Sequence, residues 1–112
     1  MADKNILVVI KSKPYTTLNS YEAMRVAMGL WEHAVKVVWT GDGVYSLLKG
    51  ADHSLTQVFH RDLPELDIEA YADGSALSRR GLTEQDILPR IEIADRAKVV
   101  ELMMGAEVSL VF

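Results

Sequence analysis

The chain has 112 residues, 49% of them hydrophobic and 25% charged. This length and composition predict a single domain over 1–112, with a hydrophobic core that needs neither disulfides nor a structural metal. It contains no cysteine, which excludes disulfides, cysteine-ligated iron–sulfur clusters and a thiol or persulfide carried by this chain. Twelve basic and 16 acidic residues give a formal net charge of −4, so no direct binding to nucleic acid is expected.

The chain begins with a strand pattern followed by a helix pattern. Residues 5–10 are a continuous apolar run rich in β-branched side chains, typical of a strand buried on both faces. This run is too short for a signal-peptide core or a membrane span, so we expect a soluble cytoplasmic protein. After a loop containing Pro14, Asn19 is a candidate N-cap with Glu22 as its capping-box partner, which predicts a helix near 20–33.

The remaining patterns continue the alternation of strands and helices. The predicted elements are, in order, a strand over 35–40, a helix over about 43–49 after the turn Gly41-Asp42-Gly43, a short helix within 51–65, a strand over 66–71, a helical turn over 75–80, a short helix capped by Thr83 and Asp86, a brief strand over 90–94, a helix capped by Asp95 and ended by Gly105, and a strand over 107–112. This alternation predicts a three-layer α/β sandwich, in which a mostly parallel sheet of about five strands carries helices on both faces.

In such sheets, ligands gather at the carboxyl ends of the strands, which here are the loops after Ile10, Thr40 and Tyr71. One candidate is the loop Gly41-Asp42-Gly43, whose amides could hold an anion together with Ser12 after the first strand. The loop lacks both the third glycine of a dinucleotide motif and the lysine of a P-loop. A tight turn that needs glycine is therefore the preferred interpretation.

The segment from Asp73 and Ser75 to Arg79 and Arg80 also lies just beyond a predicted strand. The two arginines could attract an anionic ligand or a carboxylate of a partner. The alternative is that they are solvated or paired with acidic residues of the same chain.

Three histidines, His33, His53 and His60, match no metal-ligand spacing, and we expect neither a metal nor a cofactor. His33 suits the end of the first predicted helix, whereas His53 and His60 could face a partner. An enzyme that uses Asp73 with a histidine is the weakest hypothesis, because nothing in the sequence brings the two together.

The first predicted helix carries more apolar residues than one face requires. Met24, Val26 and Met28 lie beside its inward stripe, so the helix is apolar around more than one face. This pattern predicts burial of Met24 and Met28 against another subunit.

The sequence resembles the DsrE/DsrF-like family, which has the YchN-like fold and includes sulfur-relay subunits. The segments that carry the resemblance are spread over nearly the whole chain in the family's order: NILVVIKSKPY before Asn19-Ser20-Tyr21-Glu22-Ala23, Thr40 to Tyr45, Ser75 to Leu82, and Ala94 to Phe112. In the sulfur-accepting members, a cysteine precedes the glycine of the Arg-Gly motif at the position that corresponds to Asp73 here. An aspartate cannot accept sulfane sulfur, so the resemblance is greatest to the cysteine-less TusC/DsrF type.

The resemblance implies a subunit with no catalytic activity of its own, which supports persulfide transfer by a partner. The implied partners are a cysteine-bearing DsrE/TusD-like subunit and a small third subunit, in tRNA thiolation or in sulfur oxidation. The alternative is a cysteine-less homo-oligomer that binds a small molecule or an anion at the carboxyl ends of the strands.

Overall fold

A five-stranded parallel sheet forms the centre of the chain in a computed structural model, which describes residues 4–14 and 17–112. The strands, in chain order, are β1 (Asn5–Ile10), β2 (Ala34–Trp39), β3 (Glu69–Asp73), β4 (Glu92–Ala94) and β5 (Val108–Val111). Their order across the sheet is β4-β3-β2-β1-β5, and every neighbouring pair is parallel. The predicted α/β fold is thereby confirmed.

Helices lie on both faces of the sheet, but they cover the two faces unequally. The helices are α1 (Asn19–Gly29), α2 (Gln57–Asp62), α3 (Gly74–Arg79) and α4 (Arg96–Gly105), with 3-10 helices at Gly41–Leu47, Pro64–Leu66 and Glu84–Asp86. On the first face, residues of α1, α2, α3 and the 3-10 helix Gly41–Leu47 form one hydrophobic core together with Ile6, Val8 and Ile10 of β1. On the second face, Val99 and Leu102 of α4 pack on Leu7 and Val9. The alternation of side chains along β1 thus supplies both cores.

The predicted cap and end of the first helix were wrong. Asn19 is the first residue of α1 rather than its cap, and its backbone N–H donates a hydrogen bond to Thr17 Oγ1 (3.2 Å). The side-chain amide of Asn19 (Nδ2) donates a hydrogen bond to Ser12 Oγ (3.0 Å). Glu22 forms an ion pair with Arg25 (2.6 Å). The helix ends at Gly29 because the chain must turn before β2 begins at Ala34.

Two further elements differ from their predicted positions. The helix expected over 43–49 is a 3-10 helix, Gly41–Leu47, which starts two residues earlier. The third strand lies at Glu69–Asp73 rather than 66–71, because a 3-10 turn ends at Asp67 in the left-handed conformation (φ 59°). This shift places Asp73 at the carboxyl end of β3.

The predicted polar caps in the last third of the chain were confirmed. Thr83 and Asp86 form a reciprocal capping box around the short 3-10 helix. Asp95 caps α4 by accepting a hydrogen bond from the backbone N–H of Lys98 (2.8 Å). Such caps are local in sequence, so residue types and spacing suffice to predict them.

Candidate functional site

The carboxyl edge of the sheet is built by close contact between the 3-10 helix Gly41–Leu47 and the end of β1. A Cβ added at Gly43 would lie 2.2 Å from the carbonyl oxygen of Ile10, and Gly41 has a positive φ of 52°. Both glycines therefore have a structural explanation that needs no bound anion.

Asp73 connects the ends of two neighbouring strands. Its Oδ2 accepts a hydrogen bond from Thr40 Oγ1 (2.7 Å), just after β2, and its Oδ1 accepts one from the backbone N–H of Ser75 (3.0 Å). The second bond caps α3. Both carboxylate oxygens are thus engaged in holding β2, β3 and α3 together, which is a structural role.

Arg80 pairs with an acidic residue of the same chain, which agrees with the second of the two interpretations of the arginines. Its Nε and Nη2 donate to Asp42 Oδ1 (3.2 and 2.8 Å), and its Nη1 donates to the carbonyl oxygen of Ala76 (3.0 Å). The guanidinium also lies over the Tyr45 ring, 5.7 Å from the centroid. The hydrogen bond from Arg80 holds the pKa of the Asp42 carboxyl below its ordinary value. Asp42 therefore offsets the charge of Arg80.

Arg79 differs from Arg80 because it is exposed and contacts its own helix. Its Nη2 donates to Ser75 Oγ (3.2 Å). The structure thus places Asp73, Ser75 and Arg79 together, with Arg80 and Asp42 as a separate pair. Ser12, the remaining polar candidate, is engaged by Asn19.

The expectation that Met24 faces another subunit was wrong. Met24 is 1% exposed and lies in the chain's own first-face core, and Met28 is partly buried against the same core. The physical reason is the width of a buried helical stripe, which accommodates both the Ala23/Ala27 row and the adjacent Met24/Met28 row.

An exposed apolar surface lies instead on the second face of the sheet. It consists of Val100, Met103 and Met104 of α4, exposed by 46%, 45% and 82%, and Val111 of β5, exposed by 57%. Val111 is aligned with Val9, which belongs to the second-face core. We call these four residues the α4–β5 surface. The sequence favoured core packing for the methionines of this helix, and the structure buries Val99 and Leu102 instead. The apolar residues of α4 surround the helix, so periodicity does not select a buried side.

The three histidines are divided between two places. His33 Nδ1 accepts a hydrogen bond from the backbone N–H of Lys4 (3.2 Å), whereas His53 and His60 lie edge to face with ring centroids 5.8 Å apart. Burial, with a smaller contribution from His53, lowers the pKa of His60 to about 4. Over residues 4–14 and 17–112, no group of three or more histidine, aspartate or glutamate residues could hold a metal ion.

Replacing Asp73 with alanine is expected to lower the free energy of unfolding by about 1–2 kcal/mol, because α3 loses its cap and the Thr40 hydroxyl loses its acceptor. Urea denaturation of the wild type and the variant measures the difference. Asp73→Asn is the matched control, since its amide oxygen can accept the bond from the backbone N–H of Ser75 and its NH2 group can donate to the Thr40 hydroxyl. An equal loss in both variants would show that the charge, and not the two hydrogen bonds, matters at this position.

Comparisons with known proteins agree with this architecture. The sequence profile of the DsrE/DsrF-like family matches residues 4–112. The chain therefore belongs to the DsrE/DsrF-like family, as the resemblance of its motifs predicted.

Named relatives and solved structures add detail. The chain is 27% identical to the intracellular sulfur oxidation protein DsrF of Allochromatium vinosum, over 89% of this chain and 90% of that protein. It is 33% identical to a TusC homolog of Vibrio vulnificus, over 66% of this chain and 68% of that protein. The fold matches the crystal structure of the YchN protein from E. coli with a TM-score of 0.84 and 18% identity, over 97% of this chain and 99% of that one. A protein of unknown function from Methanobacterium thermoautotrophicum matches with a TM-score of 0.69 and 16% identity, over 96% and 97% of the two chains.

None of the helices described is both long enough and apolar enough to cross a membrane.

Proposed function

We propose that this protein is a non-catalytic, DsrF/TusC-like subunit of a cytoplasmic sulfur-relay complex, in which a cysteine-bearing family member carries the persulfide. The chain has no cysteine, and its relatives include proteins named DsrF and TusC. Asp73, which by the resemblance of its motifs corresponds to the cysteine of the sulfur-accepting members, is hydrogen-bonded to Thr40 and Ser75. A carboxylate held in this way supports a structural role.

The observation that carries the proposed membership of a complex is the α4–β5 surface. Parallel sheets are normally covered on both faces, because their strands are apolar on both sides. Here α4, a helix of 10 residues, packs on the second-face core, and its outer side exposes the apolar residues Val100, Met103 and Met104. Exposed apolar side chains grouped on one face of a protein are typical of a subunit interface.

The proposed partner is a chain of the same family, which would cover α4 and the outer part of β5. Charged side chains are present within the same helix, including the Lys98–Glu101 pair (3.8 Å), whose side chains are 36% and 72% exposed. An apolar centre with charged residues at its edge is the usual composition of a protein–protein interface.

The proposal is tested by affinity purification of this chain from its native source, followed by mass spectrometry and by a measurement of its mass in solution. We expect recovery of a cysteine-bearing DsrE-family protein. Purification as a monomer, with no such protein, would overturn the proposal.

Replacing Met104 with glutamate is expected to weaken association by at least about tenfold, because a charge would be buried at the interface. Met104 is 82% exposed, so the free energy of unfolding of the isolated chain should change by less than about 0.5 kcal/mol. Val58→Glu is the matched control: Val58 is also an exposed apolar residue (46%), but it lies on α2. Equal recovery of the partner with Met104→Glu and with the wild type would contradict a role for this surface.

The second candidate function is a homo-oligomer that binds an anion at the carboxyl ends of the strands, and one observation favours it. Arg79 is exposed next to Ser75, whereas Arg80 is already paired with Asp42. If this function is correct, phosphate or thiosulfate will raise the melting temperature of the wild type but not of Arg79→Ala. The same shift in both proteins would exclude Arg79 from an anion site.

A further inference from the structure

A cavity of about 390 Å³ lies on the first face of the sheet, between α1 and the segment that leads into α2. Its apolar lining includes Leu18, Tyr21, Met24 and Leu55, and its polar lining includes Ser20, Ser46, His53 and His60. This volume and this mixture of many apolar and a few polar groups are typical of sites for small molecules.

The lining leaves large apolar side chains open to solvent. Leu18 is 61% exposed and Leu55 is 64% exposed, although both contribute to the cavity. An apolar molecule seated in the cavity would remove part of this surface from water, which is favourable.

The polar groups of the cavity have unused hydrogen-bonding capacity. His53 Nε2 lies 2.7 Å from the carbonyl oxygen of Leu48, which can only accept, so Nε2 is the donor of this hydrogen bond. In the tautomer with its hydrogen on Nε2, Nδ1 is an acceptor. His60 stacks on Trp39 at 5.8 Å and makes no hydrogen bond to any residue that the structure describes. Ser20 Oγ lies 3.4 Å from Ser46 Oγ, a long contact, and Ser20 is 8% exposed.

Trp39, whose ring stacks on His60, carries a further hydrogen-bonding group without a partner among the described residues. Trp39 is fully buried, and its Nε1–H has no acceptor among the described residues. An unsatisfied buried donor is costly and uncommon in folded proteins, but Trp39 does not line the cavity, so the ligand proposed below does not rely on it.

The charges around the cavity select the kind of ligand. Among the described residues that line it there is no lysine and no arginine. The pKa of His60 is about 4, so its ring is neutral at pH 7. Asp52 is the acidic member of the described lining, and it accepts a hydrogen bond from the backbone N–H of Ser54 (2.9 Å). An anionic ligand would find no counter-charge here.

We propose that this cavity binds an uncharged aromatic heterocycle, whose ring packs between Leu18, Leu55 and Tyr21 and whose N–H group donates to an imidazole nitrogen of His53 or His60. The proposed site lies on the opposite face of the sheet from the α4–β5 surface. It therefore does not depend on the proposed role in a sulfur-relay complex.

The test titrates the full chain with indole and follows the imidazole signals of His53 and His60 by NMR. We expect saturable shifts of both rings, and binding of indole-3-acetate that is weaker by at least about tenfold, because the carboxylate has no cationic partner. Absence of a saturable shift of these rings, or equal binding of the two compounds, would overturn the proposal.

Leu55→Asp and Val58→Asp form a matched pair for the same titration. Both positions are exposed, by 64% and 46%, but the cavity is lined by Leu55 and not by Val58. We expect indole to bind about tenfold more weakly to Leu55→Asp, through lost apolar contact, and with wild-type affinity to Val58→Asp. Equal affinities of the two variants would place indole outside this cavity and overturn the proposal.

Discussion

Replacing Gly43 with alanine is expected to lower the free energy of unfolding by about 3 kcal/mol or more, a large fraction of the stability of a domain of this size. The new Cβ would lie 2.2 Å from the carbonyl oxygen and 2.9 Å from the carbonyl carbon of Ile10. These are backbone atoms at the end of β1, which is paired on both sides in the sheet, so no side chain can rotate to relieve the clash. The 3-10 helix Gly41–Leu47 would have to move away from the sheet.

Gly50→Ala is the matched control for this prediction. No heavy atom lies within 4 Å of the Cβ position at Gly50, and its φ is not positive. The free energy of unfolding of Gly50→Ala is expected to differ from that of the wild type by less than about 1 kcal/mol. Urea denaturation of the wild type and the two variants measures both effects. A loss at Gly43 no larger than that at Gly50 would show that the 3-10 helix can shift at little cost.

Lowering the pH from 7 to 5 is expected to reduce the contribution of His60 to stability by about 2 kcal/mol. Burial lowers the pKa of His60 from 6.5 to about 4 in the folded chain, so between these values the unfolded chain binds more protons. The contribution of His60 to stability is therefore complete above about pH 6.5, the pKa of histidine in the unfolded chain. It decreases as the pH falls below this value, and it is constant below about pH 4.

His60→Phe isolates this contribution, because phenylalanine keeps an aromatic ring against Trp39 but does not titrate. The free energy of unfolding is measured by urea denaturation at pH 7 and pH 5 for both proteins. Acidic groups shared by the two proteins contribute equally, so the difference between the two pH dependences belongs to His60. Identical dependences would show that His60 does not titrate below its ordinary range in the folded state.

Much of the architecture could be predicted because its signals are local. The β-branched run at 5–10 predicted β1, and the spacing of Thr83 and Asp86 and the position of Asp95 predicted two caps. Boundaries failed where the tertiary structure competes with the local preference. Asn19 has the residue type of a cap, but it lies inside α1 and its side chain reaches Ser12.

The position of the candidate site could be predicted from the sequence, but the side-chain contacts within the site could not. The expectation that Asp73, Ser75 and Arg79 lie beyond the end of a strand follows from the general behaviour of parallel sheets. The contacts of Arg80 with Asp42, 38 residues apart, and of Thr40 with Asp73, 33 residues apart, depend on the order β4-β3-β2-β1-β5. No local pattern encodes which strand ends become neighbours.

By itself, the sequence determined the fold class, the family and the absence of a sulfur-accepting thiol, because hydrophobic periodicity, motif order and composition can be read without coordinates. The tertiary structure decided which apolar residues remain uncovered: Met24 packs into the core, whereas Met104 stays exposed. It also brought His53 and His60 into one cavity beside Ser20. The physical reason is that burial and side-chain pairing depend on how distant elements pack, whereas secondary structure depends largely on residues that are close in the chain.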